Sequence, residues 1–252
     1  MSLPDQADPR HYAFFFDFDG TLADIAEHPE DVAITRETRH VLERLLDASS
    51  GAVAIITGRD IASIDRFLAP LKLPIAGVHG LTRRDANGHL HSPEFDMAAL
   101  KAIENELQSL AEKEGGLLLE RKHGAIALHY RQRPELEKTC IETMERVAAR
   151  SASIELRRGK MVIEAIGYQT DKGAAIDHFL QEAPFRGRTP FFAGDDLTDE
   201  DGFAFLNKLD GISVKVGPGE TKARYRTENR ETLLSWLNSL LENQGHSYRE
   251  QS

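Results

Sequence analysis

Phe14-Phe15-Phe16-Asp17-Phe18-Asp19-Gly20-Thr21 is the stretch from which the rest of the chain is read. Its aromatic run has the character of a strand buried on both faces. The run then breaks into two acids spaced two apart, followed by Gly and Thr. Side chains at i and i+2 of an extended chain point to the same side, so both carboxylates leave the strand end together. Open α/β sheets bind ligands at the carboxyl ends of their strands. Two crowded carboxylates also call for a cation or a proton between them. Gly20 supplies a turn that a Cβ would obstruct. The stretch points to a Mg²⁺-assisted phosphoryl-transfer site with one Asp as nucleophile and the other as acid/base. The plain alternative is a strand end whose acids open the next turn.

Working outward, a polar loop (Ala23 to Asp31) leads to a helix opening at Thr35, with Val41, Leu42, Leu45 and Leu46 inward. Ala52 to Ile56 reads as a strand, Asp60 as the N-cap of a helix carrying Ile61, Ile64, Phe67 and Leu68, and Ile75 to Val78 as a further strand. This alternation predicts a parallel sheet with right-handed crossovers. From Thr82 the pattern changes. Asn87-Gly88 signals a hairpin, and Leu100, Ile103, Leu107 and Leu110 mark a long helix. Strands at Leu117 to Glu120 and Ala125 to Arg131 follow, then a helix from Pro134. Strands at Ile154 to Arg157 and Met161 to Ile166 close the block, with Arg158-Gly159 turning between them. From Thr170 the alternation resumes: helix Lys172 to Gln181, strand Thr189 to Ala193, helix Asp199 to Asn207, strand Ile212 to Val216. A last helix carries Leu233, Leu234, Trp236, Leu237 and Leu240, and the residues after Glu242 read as a frayed tail. The expected organisation is an α/β Rossmann-like core (residues 1–81 and 168–252) interrupted by an α+β cap (residues 82–167). No Gly/Ser-rich linker separates the blocks, so a single-domain reading stays open.

The chain has 252 residues and a formal charge of −10. That balance argues against a nucleic-acid partner, which requires phosphate neutralisation, but not against a small phosphorylated substrate met by local cations. The single cysteine, Cys140, excludes a disulfide framework and reads as a buried residue on the face of Leu136, Met144 and Val147. The first residues are polar, unlike a signal peptide, and no apolar run approaches the ~20 residues of a membrane helix. A soluble, cytoplasmic protein is expected.

A second acidic cluster, Gly194-Asp195-Asp196-Leu197-Thr198-Asp199-Glu200-Asp201, again follows an apolar strand. Mg²⁺ takes one or two carboxylates and keeps waters and substrate phosphate, which suits Asp195 facing Asp17 and Asp19. The cluster lacks EF-hand spacing, and Glu200 and Asp201 read as ordinary acids at a helix start. Thr57-Gly58 ends another apolar strand and offers a hydroxyl and backbone N–H groups to a phosphate; a simple strand-to-helix turn is the alternative. Lys172 opens a helix where its charge opposes the dipole, so it reads as paired with phosphate or the acids, or else as a solvated surface lysine.

The ordered set Asp17-x-Asp19-Gly20-Thr21, Thr57-Gly58-Arg59, Lys172-Gly173 and Gly194-Asp195-Asp196-x-x-Asp199 resembles the haloacid-dehalogenase superfamily of aspartate-nucleophile phosphatases, in the subgroup with a large inserted cap. More narrowly, Val78-His79-Gly80, Ala127-Leu128-His129-Tyr130-Arg131, Gly159-Lys160 and the full Gly194 to Glu200 run are similar to trehalose-6-phosphate phosphatases. The resemblance implies that Asp17 attacks phosphorus and Asp19 protonates the leaving group and then activates water. It further implies that Thr57 and Lys172 hold the phosphoryl oxygens. Mg²⁺ would be ligated by Asp17, the Asp19 backbone carbonyl and Asp195, with Asp196 and Asp199 acting behind the ligands or through water. Asp17, Phe18, Asp19 and Gly20 would contact substrate. Glu120, Lys122 and Glu164 of the cap would bind sugar hydroxyls, with His79, Gly80 and Arg131 assisting, and the cap would open and close. For each of these residues, Arg131 and His79 above all, a surface charge on a strand is the alternative. Other sugar-phosphate phosphatases and phosphomutases share this chemistry. A phospho-accepting receiver module or a sugar-phosphate sensor are the readings from other classes; receivers are about half this length.

Overall fold

Tyr12–Phe16 is an extended strand, β1, in the computed structural model of the protein, which describes residues 3, 8–24, 32–92, 95–122, 124–159, 161–167 and 170–247. Most of the expected loop Ala23 to Asp31, Lys160 of the Gly159-Lys160 pair, and the end of the polar tail lie outside the described residues. After β1 come α1 (Arg36–Ala48), β2 (Val53–Ile56), α2 (Ile61–Leu68), β3 (Ile75–Gly77), β4 (Thr82–Arg84) and β5 (Leu90–His91). Next are α3 (Met97–Glu114), β6 (Leu118–Lys122), β7 (Ala125–His129), α4 (Glu137–Ala148), β8 (Glu155–Gly159) and β9 (Val162–Ile166). Then α5 (Lys172–Leu180), β10 (Thr189–Gly194), α6 (Glu200–Lys208), β11 (Ile212–Val216), β12 (Tyr225–Thr227) and α7 (Arg230–Ser247) follow.

The chain forms two units, Met1–His91 with Asp171–Ser252, and Ser92–Thr170. The first is an α/β unit around an eight-stranded sheet ordered β12-β11-β10-β1-β2-β3-β4-β5. Its first six strands in that order are parallel, and β4 and β5 are antiparallel additions. Thr82–Arg84 pairs with β3, because the turn at Asn87-Gly88 folds β5 back on β4 and both stay on this sheet. Residues 82–91 therefore group with the first unit, whereas the expected boundary at 82 assigned them to the inserted block.

The alternation of β1 divides the interior. Phe14 and Phe16 face one layer with Val53, Ile55, Phe191 and the apolar faces of α1, α2 and α7. Ala13 and Phe15 face the other, with Ala54, Ile56, Phe192 and residues of α5 and α6. The helix starts follow the side-chain chemistry of capping: Thr35 Oγ1 accepts the Thr38 N–H at 3.1 Å, and Asp60 accepts that of Ser63 at 2.7 Å. Val41, Leu42 and Leu45 are buried and Leu46 partly so, as the helical spacing requires.

Several ends differ from the sequence reading. β3 stops at Gly77 because Val78 and His79 turn left-handed, with φ of 50° and 55°. β7 stops at His129, leaving Arg131 in the following turn, and Arg158 and Gly159 lie within β8, with Met161 (φ 61°) at the turn. β12 has three residues, too few to carry a periodic signal.

The second unit has a four-stranded antiparallel sheet ordered β6-β7-β9-β8. Leu100, Ile103 and Leu107 of α3 and Cys140, Met144 and Val147 of α4 pack with Ile126, Leu128, Ile163 and Ala165. The period-two alternation turns the intervening residues, including Glu120, Lys122, Ala127, His129 and Glu164, to the opposite face. Among the described residues no helix is long and apolar enough to cross a membrane.

Candidate active site

β1 and β10 run parallel in register, Phe16 opposite Ala193, so both strands end at the same level and their acids emerge side by side. The Asp17 N–H donates to the Ala193 carbonyl at 2.9 Å, which carries the ladder one residue past the strand. Asp17 continues the Ala13 and Phe15 face, the face covered by α5, and there it meets Lys172 of α5's first turn. Lys172 Nζ donates to Asp17 Oδ1 and to Asp199 Oδ1, both at 2.6 Å. Lys172 is 2 % exposed, so it is an interior cation, and the surface-lysine alternative is excluded. Asp171 starts α5 by accepting the Ala174 N–H at 2.8 Å.

Asp199 is fully buried and joins two parts of the site. Its Oδ2 accepts the Asp196 N–H at 2.8 Å while its Oδ1 takes Lys172. Gly194 permits this, since a Cβ there would fall 2.3 Å from the Asp199 Cγ. One carboxylate oxygen each of Asp17, Asp195 and Asp199 lies within 4.8 Å of the others. Burial, reinforced by Asp199 and Asp195, pushes the Asp17 carboxyl well above its ordinary range against the pull of Lys172. Burial and the carboxylates of Asp199 and Asp196 raise Asp195 to about 6. Burial alone would weaken the Lys172 ammonium, but Asp17 and Asp199 outweigh it and hold its pKa above the usual lysine value. Three converging carboxylates, two of them paired to Lys172, carry more negative charge than that lysine balances and fit a divalent cation of the Mg²⁺ class.

Gly20 sits at φ +80°, and a Cβ there would fall 2.1 Å from Asp195 Oδ2. Gly20→Ala is therefore expected to displace the Asp195 carboxylate and to impose left-handed strain of about 1–3 kcal/mol. Turnover at this site should fall roughly 100-fold or more, in line with the weight of electrostatic groups in such sites, and the melting temperature should drop. Wild-type turnover in this variant would mean that Asp195 is not needed where the structure puts it.

The Asp19 carboxylate turns to Arg59, which grips it with Nε at 2.6 Å and Nη2 at 2.7 Å. The guanidinium also lies 5.1 Å over the Phe67 ring, which stacks on Phe18. The Phe18 ring is core, which leaves its main chain for any substrate contact. Thr57, 1 % exposed at the end of β2, accepts the Arg59 N–H at 3.1 Å, and its carbonyl takes the His79 N–H at 2.8 Å. The His79 imidazole packs so closely on Gly58 that a Cβ there would come within 2.8 Å of the ring. Three successive left-handed residues, Val78, His79 and Gly80, hold it there. For a β-branched residue such as Val78 this conformation is costly, a pattern concentrated at functional segments.

In the second unit, Glu120, Ala127 and Glu164 are direct cross-strand neighbours, with Arg157 next in the row. Lys122 Nζ bonds Glu164 Oε1 at 3.0 Å, and His129 Nε2 bonds Glu120 Oε2 at 2.8 Å. The two expected carboxylates and the lysine thus share one face, while Arg131 is exposed in the turn beyond β7.

Arg59 and His129 stood within quoted sequence motifs without a role of their own, and Lys215 and Arg157 were not singled out from the sequence. Lys215, in the wholly buried β11, donates from Nζ to the Asp195 carbonyl. Glu200, read as an ordinary helix-start acid, is buried and accepts the Thr221 hydroxyl and the Lys222 N–H, both at 2.7 Å, fixing the loop after β11.

The family model for trehalose-phosphatase matches residues 15–232. The chain is 44% identical over 226 residues to trehalose-6-phosphate phosphatase of Escherichia coli strain K12, covering 90% of this chain and 85% of that protein. The crystal structure of a trehalose-6-phosphate phosphatase related protein superposes with a TM-score of 0.76 at 27% identity, over 93% of this chain and 99% of that one. A haloacid dehalogenase-like hydrolase from B. subtilis superposes with a TM-score of 0.65 at 13% identity, over 90% of this chain and 99% of that one, a likeness of fold alone.

Proposed function

The chain belongs to the trehalose-phosphatase family, and from that membership we propose that it hydrolyses trehalose 6-phosphate to trehalose and phosphate through an aspartyl-phosphate, with Mg²⁺ as cofactor, in the cytoplasm. The observation that carries the chemistry is the buried ion triad Asp17–Lys172–Asp199 at the strand ends, beside Asp195. Phosphoryl transfer is largely a matter of positioning and charge stabilisation, and this cluster supplies both.

In the first step an Asp17 carboxylate oxygen attacks phosphorus in line with the sugar oxygen. The P–O bond to that oxygen breaks, and Asp19, once turned from Arg59 and carrying a proton taken from solvent, gives that proton to the departing sugar oxygen, which leaves as a hydroxyl. In the second step Asp19 takes a proton from water, whose oxygen attacks phosphorus. The bond to Asp17 breaks and the carboxylate is restored. Thr57 and Lys172 hold the phosphoryl oxygens throughout, and Lys172 stays ionised because its two carboxylate partners demand it. Asp17, Asp195 and the Asp19 carbonyl would hold Mg²⁺, which when bound offsets the repulsion between nucleophile and phosphate. Asp199 holds Lys172 and the Asp196 N–H, and Asp196 closes the turn around them. We assign recognition of the sugar hydroxyls to the Glu120, Lys122 and Glu164 face, whose fixed donors and acceptors suit paired hydrogen bonds, and an assisting role to His79, Gly80 and Arg131.

The test is phosphate release with Mg²⁺ from trehalose 6-phosphate, sucrose 6-phosphate, glucose 6-phosphate and mannose 6-phosphate. Trehalose 6-phosphate is expected to lead in kcat/KM by about 100-fold or more, the scale of discrimination set by hydrogen-bonded hydroxyls. Equal turnover of all four would keep the phosphatase chemistry and remove the sugar assignment. No release from any would remove both.

A further inference from the structure

We propose that Lys215 is a positioning residue for the metal site, acting on Asp195 through its backbone; this rests on the reading of the acid cluster as a Mg²⁺ site. A lysine is anomalous in β11, where all five residues are buried. It is 5 % exposed, opposite Gly194 in the parallel ladder, and its ammonium reaches the Asp195 carbonyl just past the end of β10. That carbonyl belongs to the peptide unit whose other end, the Asp196 N–H, is held by Asp199 Oδ2 at 2.8 Å. The peptide plane between Asp195 and Asp196 is therefore clamped at both ends, oxygen by Lys215 and nitrogen by Asp199. A peptide is planar, so clamping both ends fixes the backbone rotation at Asp195 and steadies the Cα from which the carboxylate is carried. Without the lysine the carbonyl would lose its donor and the plane would be free to turn about the Asp199 bond.

Charge leaves room for a divalent cation even with Lys215 in place. When ionised, Asp17, Asp195, Asp196 and Asp199 carry four negative charges, and Lys172 and Lys215 offset two. The remaining two are what one divalent cation cancels. Asp19 is already matched by Arg59. Lys215 thus supports the ligand from behind without competing for the position of the cation. Groups that orient metal ligands in this way change affinity by about 10–100-fold when removed.

The experiment is calorimetric titration of Mg²⁺ alone into the chelator-stripped full chain, with thermal melts of the metal-free proteins beside it. Lys215→Met keeps the stem and removes the donor and charge. Its Mg²⁺ dissociation constant is expected to rise about 10–100-fold. Lys208→Met, at an exposed position of α6, is expected to bind as wild type. Lys215→Gln keeps an N–H donor without the charge, and its affinity is expected to return to within about threefold of wild type, the spread usual for such contributions. It decides the matter alone if the Met protein does not fold. Wild-type affinity in Lys215→Met, or a full loss in Lys215→Gln, would overturn the positioning role while leaving the metal site standing. A wild-type chain that takes up no Mg²⁺ would overturn the metal reading and the role of Lys215 with it.

Discussion

Asp17→Asn is expected to abolish phosphate release from trehalose 6-phosphate, lowering kcat by on the order of 10⁴-fold or more, as loss of a covalent nucleophile does elsewhere. The amide has nearly the volume of the carboxylate and cannot attack phosphorus, so the defect should be chemical. Stability should move little or even rise. Asp17 is 5 % exposed and faces the carboxylates of Asp195 and Asp199, so neutralising it relieves repulsion, while Lys172 keeps Asp199 as its partner. Turnover and melting temperature are the two measurements, and their separation makes the outcome informative. An inactive variant with a wild-type melt places the defect in the reaction. Activity above about one per cent of wild type would show that another group attacks phosphorus. An inactive variant that melts far below wild type would mean that Asp17 is chiefly structural.

The same residues show how much could be read from the chain. Asp17, Asp195 and Lys172 were legible because each violates its local pattern: acids directly after apolar strands, and a lysine at a helix start where the dipole disfavours it. The parallel sheet was legible for the matching reason, that strands buried on both faces lose their alternation and alternate instead with amphipathic helices. What escaped depended on partners distant in sequence. Arg59 follows a Thr-Gly turn, where an arginine is usually solvated, and only the fold brings Asp19 to its fork. Lys215 was visible as a charge within an apolar strand, but its partner is a main-chain carbonyl, which has no signature in the sequence. Glu200 satisfied a helix start and so raised no question, yet its carboxylate holds a loop more than 20 residues away. Hairpin β4–β5 was expected from Asn87-Gly88, but turn chemistry says nothing about which sheet a hairpin joins. That choice was made by the pairing of Thr82–Arg84 with β3.

Lys172→Met is expected to be inactive and, unlike Asp17→Asn, strongly destabilised. The methionine fills the space of the stem but leaves Asp17 and the fully buried Asp199 without their shared cation. Removing one partner from a buried ion pair costs about 3–5 kcal/mol, because the remaining charge is neither solvated nor matched. For a chain of this size that corresponds to a melting temperature lower by roughly 10 °C. Lys172→Arg keeps the charge but cannot place a planar guanidinium in a site shaped around one ammonium, so it should recover stability before it recovers turnover. The decisive variant is the double substitution Lys172→Met with Asp199→Asn. Neutralising Asp199 removes the stranded charge, so most of the lost melting temperature should return, and the coupling between the two sites should appear as strong non-additivity. Turnover should not return, because no cation is then left at that position to hold the phosphoryl oxygens. A single Lys172→Met protein that melts as wild type would show that the triad does not hold this end of the sheet together. Recovery of turnover in the double variant would show that Lys172 serves only to neutralise Asp199, and its assignment to the phosphoryl group would fall.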